Sequence, residues 1–193
     1  MSAREEDEAD DVECYPVTSD NPDDLARFSE QHGKFGYCSC MRWRLTSTEY
    51  KRSTKNDRIA ELDHLARSDA PTGVLGYRRG EPIGWCAVAP RDSYRALERF
   101  RALPRLDDQP VWSVVCFFVD STVRRSGVTL VLLRAAVEFA FSRAAQIVEG
   151  YPVEPGPRLY TYMGSPATFH AAGFVDVTPA GQARTVMRYT ATP

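Results

Sequence analysis

The sequence predicts a single mixed α/β (α+β) domain with a central sheet flanked by helices, and three observations carry that prediction. Residues 23–70 are dominated by helical spacing, whereas from Thr72 onward short apolar runs bounded by turn residues take over. The run VWSVVCFFV (111–119) holds nine residues without a charge, as expected of a central strand buried on both faces. It leads through DSTVRRSG into an apolar-periodic helix over 127–143 and then into a second strand, AQIVEGYPV, which makes a strand-helix-strand unit. With 193 residues, 43% hydrophobic and 26% charged, the chain is long enough to bury one core without disulfide staples.

Taken in order, residues 1–12 form an acidic tail expected to be solvated and disordered. The first 13 residues hold seven acidic groups and one arginine. CYPVT is a short first strand. NPDDLARFSEQHG reads as a helix, with capping residues before it and a glycine after it. KFGYCSCMRW packs aromatics, thiols and basic groups into a segment with no regular period. TSTEYKRSTKNDRIAELDHLARSD gives one or two helices with solvated faces. TGVLGYRRGEPIGWCAVAP is two apolar runs around RRGEP, a hairpin. RDSYRALERFRALPRLDDQP mixes helix and loop and is broken by Pro104 and Pro110. After the strand-helix-strand unit, SPATFHAAGF is a short helix in which Ser165 caps, Pro166 suits the first turn and Gly173 ends the element. FVDVT and ARTVMRYTA close a final hairpin.

Charge and composition exclude several classes. The formal charge is −2, and removing the acidic tail leaves residues 14–193 at +4. That body attracts anions but lacks the dense basic stripe and recognition motif of a nucleic-acid binder. No apolar stretch is long and uncharged enough to span a bilayer, and no basic-then-apolar leader opens the chain, so a soluble cytoplasmic protein with no membrane partner is expected. The five cysteines are odd in number and irregular in spacing, which suits free thiols. Cys38 and Cys40 have no second Cys/His pair at zinc spacing, and no metal is expected.

The segment VRRSGVTLVLLRAAVEFA places arginines, serine and glycine between an apolar strand and an apolar helix. A helix N-terminus leaves unpaired backbone N–H groups that can hold phosphate oxygens, and Gly127 lets the backbone come close to them. Arg124 and Arg125 add charge, so a diphosphate fits the site; a surface turn with solvated arginines is the plainer alternative. The segment has neither the GKS/GKT of the NTPase loop nor the triple-glycine fingerprint of dinucleotide folds.

Arg124, Arg125, Ser126, Gly127, Val128 and Thr129 resemble motif A of the GCN5-related N-acetyltransferase (GNAT) superfamily, Gln/Arg-x-x-Gly-x-Gly/Ala. TFHAAGF resembles its later helix-strand boundary, and the likeness spans about Thr72 to Tyr189. The resemblance implies a sheet with a splayed strand pair and a domain over 13–193, with 23–70 as the helical acceptor-binding region. It implies acetyl-coenzyme A as co-substrate, its diphosphate held by the N–H groups of Arg125 to Thr129 and its pantetheine paired with Phe117, Phe118 and Val119. Two positions depart from the pattern. Thr129 replaces the usual small residue, and Phe169 stands where tyrosine is common, so its ring packs against pantetheine but cannot protonate a thiolate.

Transfer of acetyl to the primary amine of a small molecule, by direct attack in a ternary complex, is the activity implied. Alternatives are a peptide or aminoacyl-like amine as acceptor, or a non-catalytic acyl-coenzyme A sensor or interaction module. Tyr162 and Ser165 are candidate acids, and Glu154 is a candidate base; Tyr160, His170, Glu149 and Asp120 are weaker ones. Cys116, in an apolar strand without a paired histidine, reads as a small buried side chain rather than a nucleophile. Tyr37, Cys38, Arg42 and Trp43, with Cys40, are the candidate acceptor pocket; the same residues also suit a hydrophobic plug. Open sheet edges are compatible with a homodimer through the carboxy-terminal strands.

Overall fold

A computed structural model describes residues 11–38, 40–156 and 160–191. The acidic tail up to residue 10 and the side chain of Tyr37 therefore lie outside the described residues. Among the described residues seven strands form one mixed sheet: β1 Glu13–Pro16, β2 Gly73–Arg78, β3 Glu81–Pro90, β4 Trp112–Val119, β5 Ile147–Gly150, β6 Val175–Asp176 and β7 Met187–Thr190. Their spatial order is β1-β2-β3-β4-β5-β7-β6, and the β4–β5 pair is parallel while the others are antiparallel.

Helices cover both faces. On one lie α1 Pro22–Gln31, α2 Gly33–Cys38, α3 Met41–Arg44, α4 Ser47–Arg52, α5 Lys55–Arg67 and α6 Arg95–Glu98. Leu25, Phe28, Trp43 and Leu62 from this layer pack on Leu75, Trp85 and Val115 of the sheet. On the other face α7 Val128–Ser142 and α8 Pro166–Ala171 pack over Val74, Cys86, Val88 and Val114. Alternate strand residues thus serve two cores, the period of two expected for a sheet covered on both sides. Two capping boxes punctuate the helical layer: Thr46 with Glu49 starts α4, and Thr54 with Asp57 starts α5. None of the described helices is long and apolar enough to cross a membrane.

The irregular-looking KFGYCSCMRW is two short helices, α2 and α3. The chain turns between them at Cys40, whose φ of 52° is left-handed. Phe35, Cys40, Met41 and Trp43, from these two short helices and the turn between them, all enter the same core, which ties the segment down through tertiary packing rather than through a local pattern.

The β4–β5 pair opens partway. Its register runs only from Trp112↔Val148 to Val114↔Gly150. On its other side β4 carries an extra residue, Val115, because Ala87 pairs with Cys116 while Val88 pairs with Val114. A bulge increases local twist, and here it falls one residue beyond the last β5 partner, turning the strand away at the fork. Beyond it Cys116, Phe118 and Val119 are only half-buried. The expectation of a strand buried on both faces therefore holds for Trp112 to Val115 and fails past the fork, where β5 no longer covers it.

Below the fork the pair is pinned by buried polar groups. Glu149 accepts from Arg91 at 3.2 Å, from Arg188 at 2.8 Å and from the Tyr151 hydroxyl at 2.8 Å, and that hydroxyl lies 2.8 Å from Ser113 Oγ. A buried carboxylate needs such partners. Glu149 is thus a structural anchor rather than a base.

Candidate active site

The cofactor loop begins at Asp120, whose carboxylate accepts from the backbone and hydroxyl of Thr122, both at 2.7 Å. Arg125 (φ 67°) and Gly127 (φ 78°) then adopt left-handed backbone on either side of Ser126. For arginine that conformation costs about 1–2 kcal/mol, and loops that hold such strain are over-determined by their surroundings. Ser126 supplies one tether: its buried hydroxyl donates to the Val123 carbonyl at 2.7 Å. The result is a curl of main chain in which the N–H groups of Arg125 to Thr129 have no backbone acceptor among the described residues, whereas Leu130 N–H already bonds the Gly127 carbonyl. Successive free N–H groups in a curl at the start of a 15-residue helix make an anion cradle.

This cradle lies in a groove of about 860 Å³ that runs from the loop, between β4 and the turn before α8, into the fork. Phe117, Phe118 and Val119 line it along β4. Arg124, Arg125, Gly127, Val128 and Thr129 line it at the loop, and Tyr162, Gly164 and Ser165 line the opposite wall. Size, exposed strand edge and anion cradle fit an extended diphosphate ligand with an apolar arm. Arg124 Nε also bonds the Val119 carbonyl at 3.3 Å, tying the loop to the strand end.

Phe169 does not lie on this wall. It is fully buried, packed edge-on to Phe174 at 4.9 Å and Phe117 at 6.1 Å between centroids. A Cβ on Gly150 would stand 1.9 Å from its ring, so the ring fills the space that the missing side chain leaves at the fork. The expectation that Phe169 lines the cofactor site is corrected: Phe169 backs Phe117, and Phe117 lines the groove. Ser126 likewise supports the loop from beneath rather than lining the groove.

A second cavity, of about 420 Å³, lies on the helical side of β4. Cys38, Cys40 and Cys116 form one part of it, Phe35, Trp43 and Tyr50 another, and Arg42, Tyr160 and Tyr162 also line it. The predicted acceptor residues Cys38, Arg42 and Trp43 are thus brought together with Cys116. The Arg42 guanidinium lies 5.5 Å over Trp43 and 5.9 Å from the Tyr50 ring centre. Trp85 Nε1 donates to Cys40 Sγ at 3.1 Å. A hydrogen bond with Cys40 and burial hold the Cys116 thiol well above its ordinary range, and burial raises Cys38. The Cys116 and Cys38 thiols are therefore poor nucleophiles, as expected of Cys116, but Cys116 is half-buried and lines the cavity rather than being the fully buried side chain expected.

Tyr162 lines both cavities. It sits in the 3-10 turn Thr161–Met163, and burial pushes its phenol above the ordinary value of 10.0. It therefore stays protonated at neutral pH. Tyr160 stacks beside it at 6.0 Å and carries the Arg184 guanidinium 4.8 Å from its ring centre. Ser165 caps α8, its hydroxyl accepting from Thr168 N–H at 3.3 Å, and the residue also lines the groove.

The carboxylates are arranged otherwise than expected. Glu154 is exposed and lines neither cavity, although its neighbours Val153 and Pro155 both line the groove. Asp120 is engaged by Thr122 and lies 3.5 Å from His32 Nδ1. His170 is exposed on α8. No described acidic residue lines the groove or the second cavity. A proton acceptor drawn from a nearby Glu or Asp is therefore not in place. Among the described residues, no group of His, Cys, Asp and Glu is arranged to hold a metal ion.

A search of curated proteins finds no match. Solved structures share the fold. Aminoglycoside acetyltransferase AAC(6')-Ib, in complex with coenzyme A and kanamycin, superposes with a TM-score of 0.54 at 21% identity, over 93% of this chain and 94% of that one. Ribosomal-protein-alanine N-acetyltransferase from Brucella melitensis gives 0.53 at 18%, over 93% and 99%. The PaiA N-acetyltransferase from Thermoplasma acidophilum, in complex with coenzyme A, gives 0.51 at 11%, over 93% and 99%. The sequence profile of the Acetyltransferase (GNAT) family matches residues 37–164, which include β4, the loop with Gly127 and all the residues of the second cavity except Phe35. The chain belongs to the GNAT family of acetyltransferases.

Proposed function

We propose that the protein acetylates the primary amine of a small molecule by direct transfer within a ternary complex. The observation that carries this reading is Tyr162, a protonated phenol lining both the cofactor groove and the second cavity. Acetyl-coenzyme A supplies an acetyl group on a thioester whose sulfur leaves.

The N–H groups of Arg125 to Thr129 hold the diphosphate, with Arg124 and Arg125 adding charge. The open edge of β4 at Phe117 to Val119 aligns the pantetheine arm. Main-chain N–H at Phe117 or Phe118 donates to the carbonyl oxygen as charge develops on it. The second cavity holds the amine against its neutral thiols, and much of the rate comes from that alignment. The amine nitrogen forms the new C–N bond as the C–S bond breaks. Tyr162 donates its proton to the sulfur and recovers one from the nitrogen. Ser165 positions the arm near the sulfur.

No carboxylate is needed as base. An apolar cavity disfavours the ammonium ion by desolvation, so it selects the neutral amine and leaves the first deprotonation to solvent. The expected kcat/KM rises with pH toward the free amine's own pKa.

The test is to incubate protein, acetyl-coenzyme A and a panel of primary amines and to detect the N-acetyl amide by mass spectrometry. Amide formation that depends on the protein supports the reading. Calorimetric binding of acetyl-coenzyme A with no amide from any amine overturns it in favour of an acyl-coenzyme A sensor.

A further inference from the structure

Next to the second cavity lies a third, of about 240 Å³, and Arg42 and Trp43 line both. Its other walls include Arg99, Phe100 and the residues Thr46, Ser47 and Thr48. The two cavities meet at Arg42 and Trp43: thiols and Tyr162 line the far side of one, Arg99 and hydroxyl side chains the far side of the other.

The charges around it are unbalanced. Arg91, Arg95, Arg105 and Arg188 each have a carboxylate partner. Arg42 and Arg99 have no carboxylate partner among the described residues. Arg42 is held by the faces of Trp43 and Tyr50, an arrangement that leaves its in-plane N–H donors available. Glu49, next in sequence to Thr48 of the third cavity, is already occupied: it accepts from Thr46 N–H and hydroxyl, both at 2.8 Å, and from Arg95 at 2.8 Å. No described acidic residue lines either cavity.

We infer that the acceptor is a primary amine that also carries a carboxylate, on an aromatic or bulky aliphatic body, with the carboxylate at Arg42 and Arg99 and the amine toward Cys116 and Tyr162. This rests on the reading of the second cavity as the acceptor site. An arginine presents paired donors in the geometry of a carboxylate, and the aromatic walls take the apolar body. A polycationic acceptor is disfavoured: its extra ammonium groups meet two arginines and no acid. In this respect the cavity differs in chemistry from one suited to a molecule such as kanamycin, although the fold is shared with the neighbour that binds it.

The test is calorimetric titration of the full chain, saturated with coenzyme A, using benzylamine and 2-phenylethylamine, the para-carboxylated form of each, and spermidine. The expected result is that the carboxylated amines bind at least about tenfold tighter than their parents, a difference of one bidentate charge-assisted contact, and that R42Q/R99Q removes the difference. Arg99 is exposed, so R99Q alone keeps the fold and closes part of the gap even if the double variant fails to fold. Equal or weaker binding of the carboxylated forms, no binding by any probe, or tighter binding of spermidine overturns the inference. Because binding is read without turnover, the two readings separate. Selective binding without amide formation leaves this site standing and removes acetyl transfer. Amide formation on spermidine in preference to the carboxylated amines removes this site and leaves acetyl transfer.

Discussion

Gly150→Ala is expected to destabilise the protein by about 2 kcal/mol and to loosen the cofactor groove at once. An alanine Cβ would lie 1.9 Å from Phe169 Cε1, 2.5 Å from Cζ and 2.8 Å from Cδ1. The ring has no free volume to enter: it is fully buried between Phe117 and Phe174, and Gly164 closes on its far edge. Overpacking of this kind costs about 1–3 kcal/mol, and overlap with three ring atoms puts this site at the upper end. Restricting the unfolded chain returns roughly 0.4–1 kcal/mol. Each kcal/mol moves the midpoint of a chain this size by roughly 2–4 °C, so Tm should fall by roughly 4–8 °C. Urea unfolding followed by circular dichroism gives the free energy directly. Phe169→Leu removes the ring atoms nearest the new methyl, so the double variant should lose less than the sum of the single losses by about 1 kcal/mol or more. Since Phe169 backs Phe117, acetyl-coenzyme A should also bind more weakly to Gly150→Ala. A single variant within about 0.5 kcal/mol of the parent, the range of an ordinary surface change, or strict additivity in the double variant, would refute the account of the fork.

Other consequences are equally direct. Reversing both loop charges, Arg124→Glu with Arg125→Glu, should weaken acetyl-coenzyme A at least about a hundredfold by calorimetry, since each arginine gives up a charge-assisted contact to phosphate and becomes repulsive; unchanged affinity would remove the diphosphate from this loop. Incubation with acetyl-coenzyme A alone should leave no acetylated protein by intact mass spectrometry, because the raised Cys116 and Cys38 thiols are poor nucleophiles. An acetyl-cysteine at either position would replace direct transfer with a two-step route. Glu49 is held down to about 2 by hydrogen bonds from Thr46 and by Arg95, against an ordinary 4.5. Its folded value is depressed, so its stabilisation is complete above about 4.5 and is lost as pH falls toward 2. Carboxyl chemical shifts followed by NMR should show that titration, and a midpoint near 4.5 would mean the capping box is open.

Much of the architecture is written locally. The charge-free run of β4, the loop with Gly127 and the apolar period of α7 lie together in sequence, and each was readable because its physics is local: strand burial, backbone curl, helix period. The features that escaped depend on residues far apart in the chain. The burial of Phe169 is set by the missing Cβ of Gly150, and nothing near Phe169 announces it. Glu154 looked available as a base, but Val153 and Pro155 line the groove on either side of it while its own carboxylate does not. Glu149 read as a weak candidate base; its partners, Arg91 and Arg188, come from opposite sides of it in the chain. The helices of KFGYCSCMRW were hidden because each is only four to six residues long, with a left-handed turn at Cys40 between them, too short to show a period. Arg99 and the hydroxyls of Thr46 to Thr48 carried no signal, since only the packing of α3, α4 and α6 brings them beside Arg42.

The claim that an amine meets the thioester at the junction of two cavities is tested most directly by Tyr162→Phe. The measurement is single-turnover acetyl transfer at saturating amine, paired with calorimetric affinity for acetyl-coenzyme A. The account predicts a rate lowered about 10²-fold or more, the contribution of a positioned general acid, with cofactor affinity unchanged. An unaltered rate would contradict the account and move proton delivery to another group or to solvent.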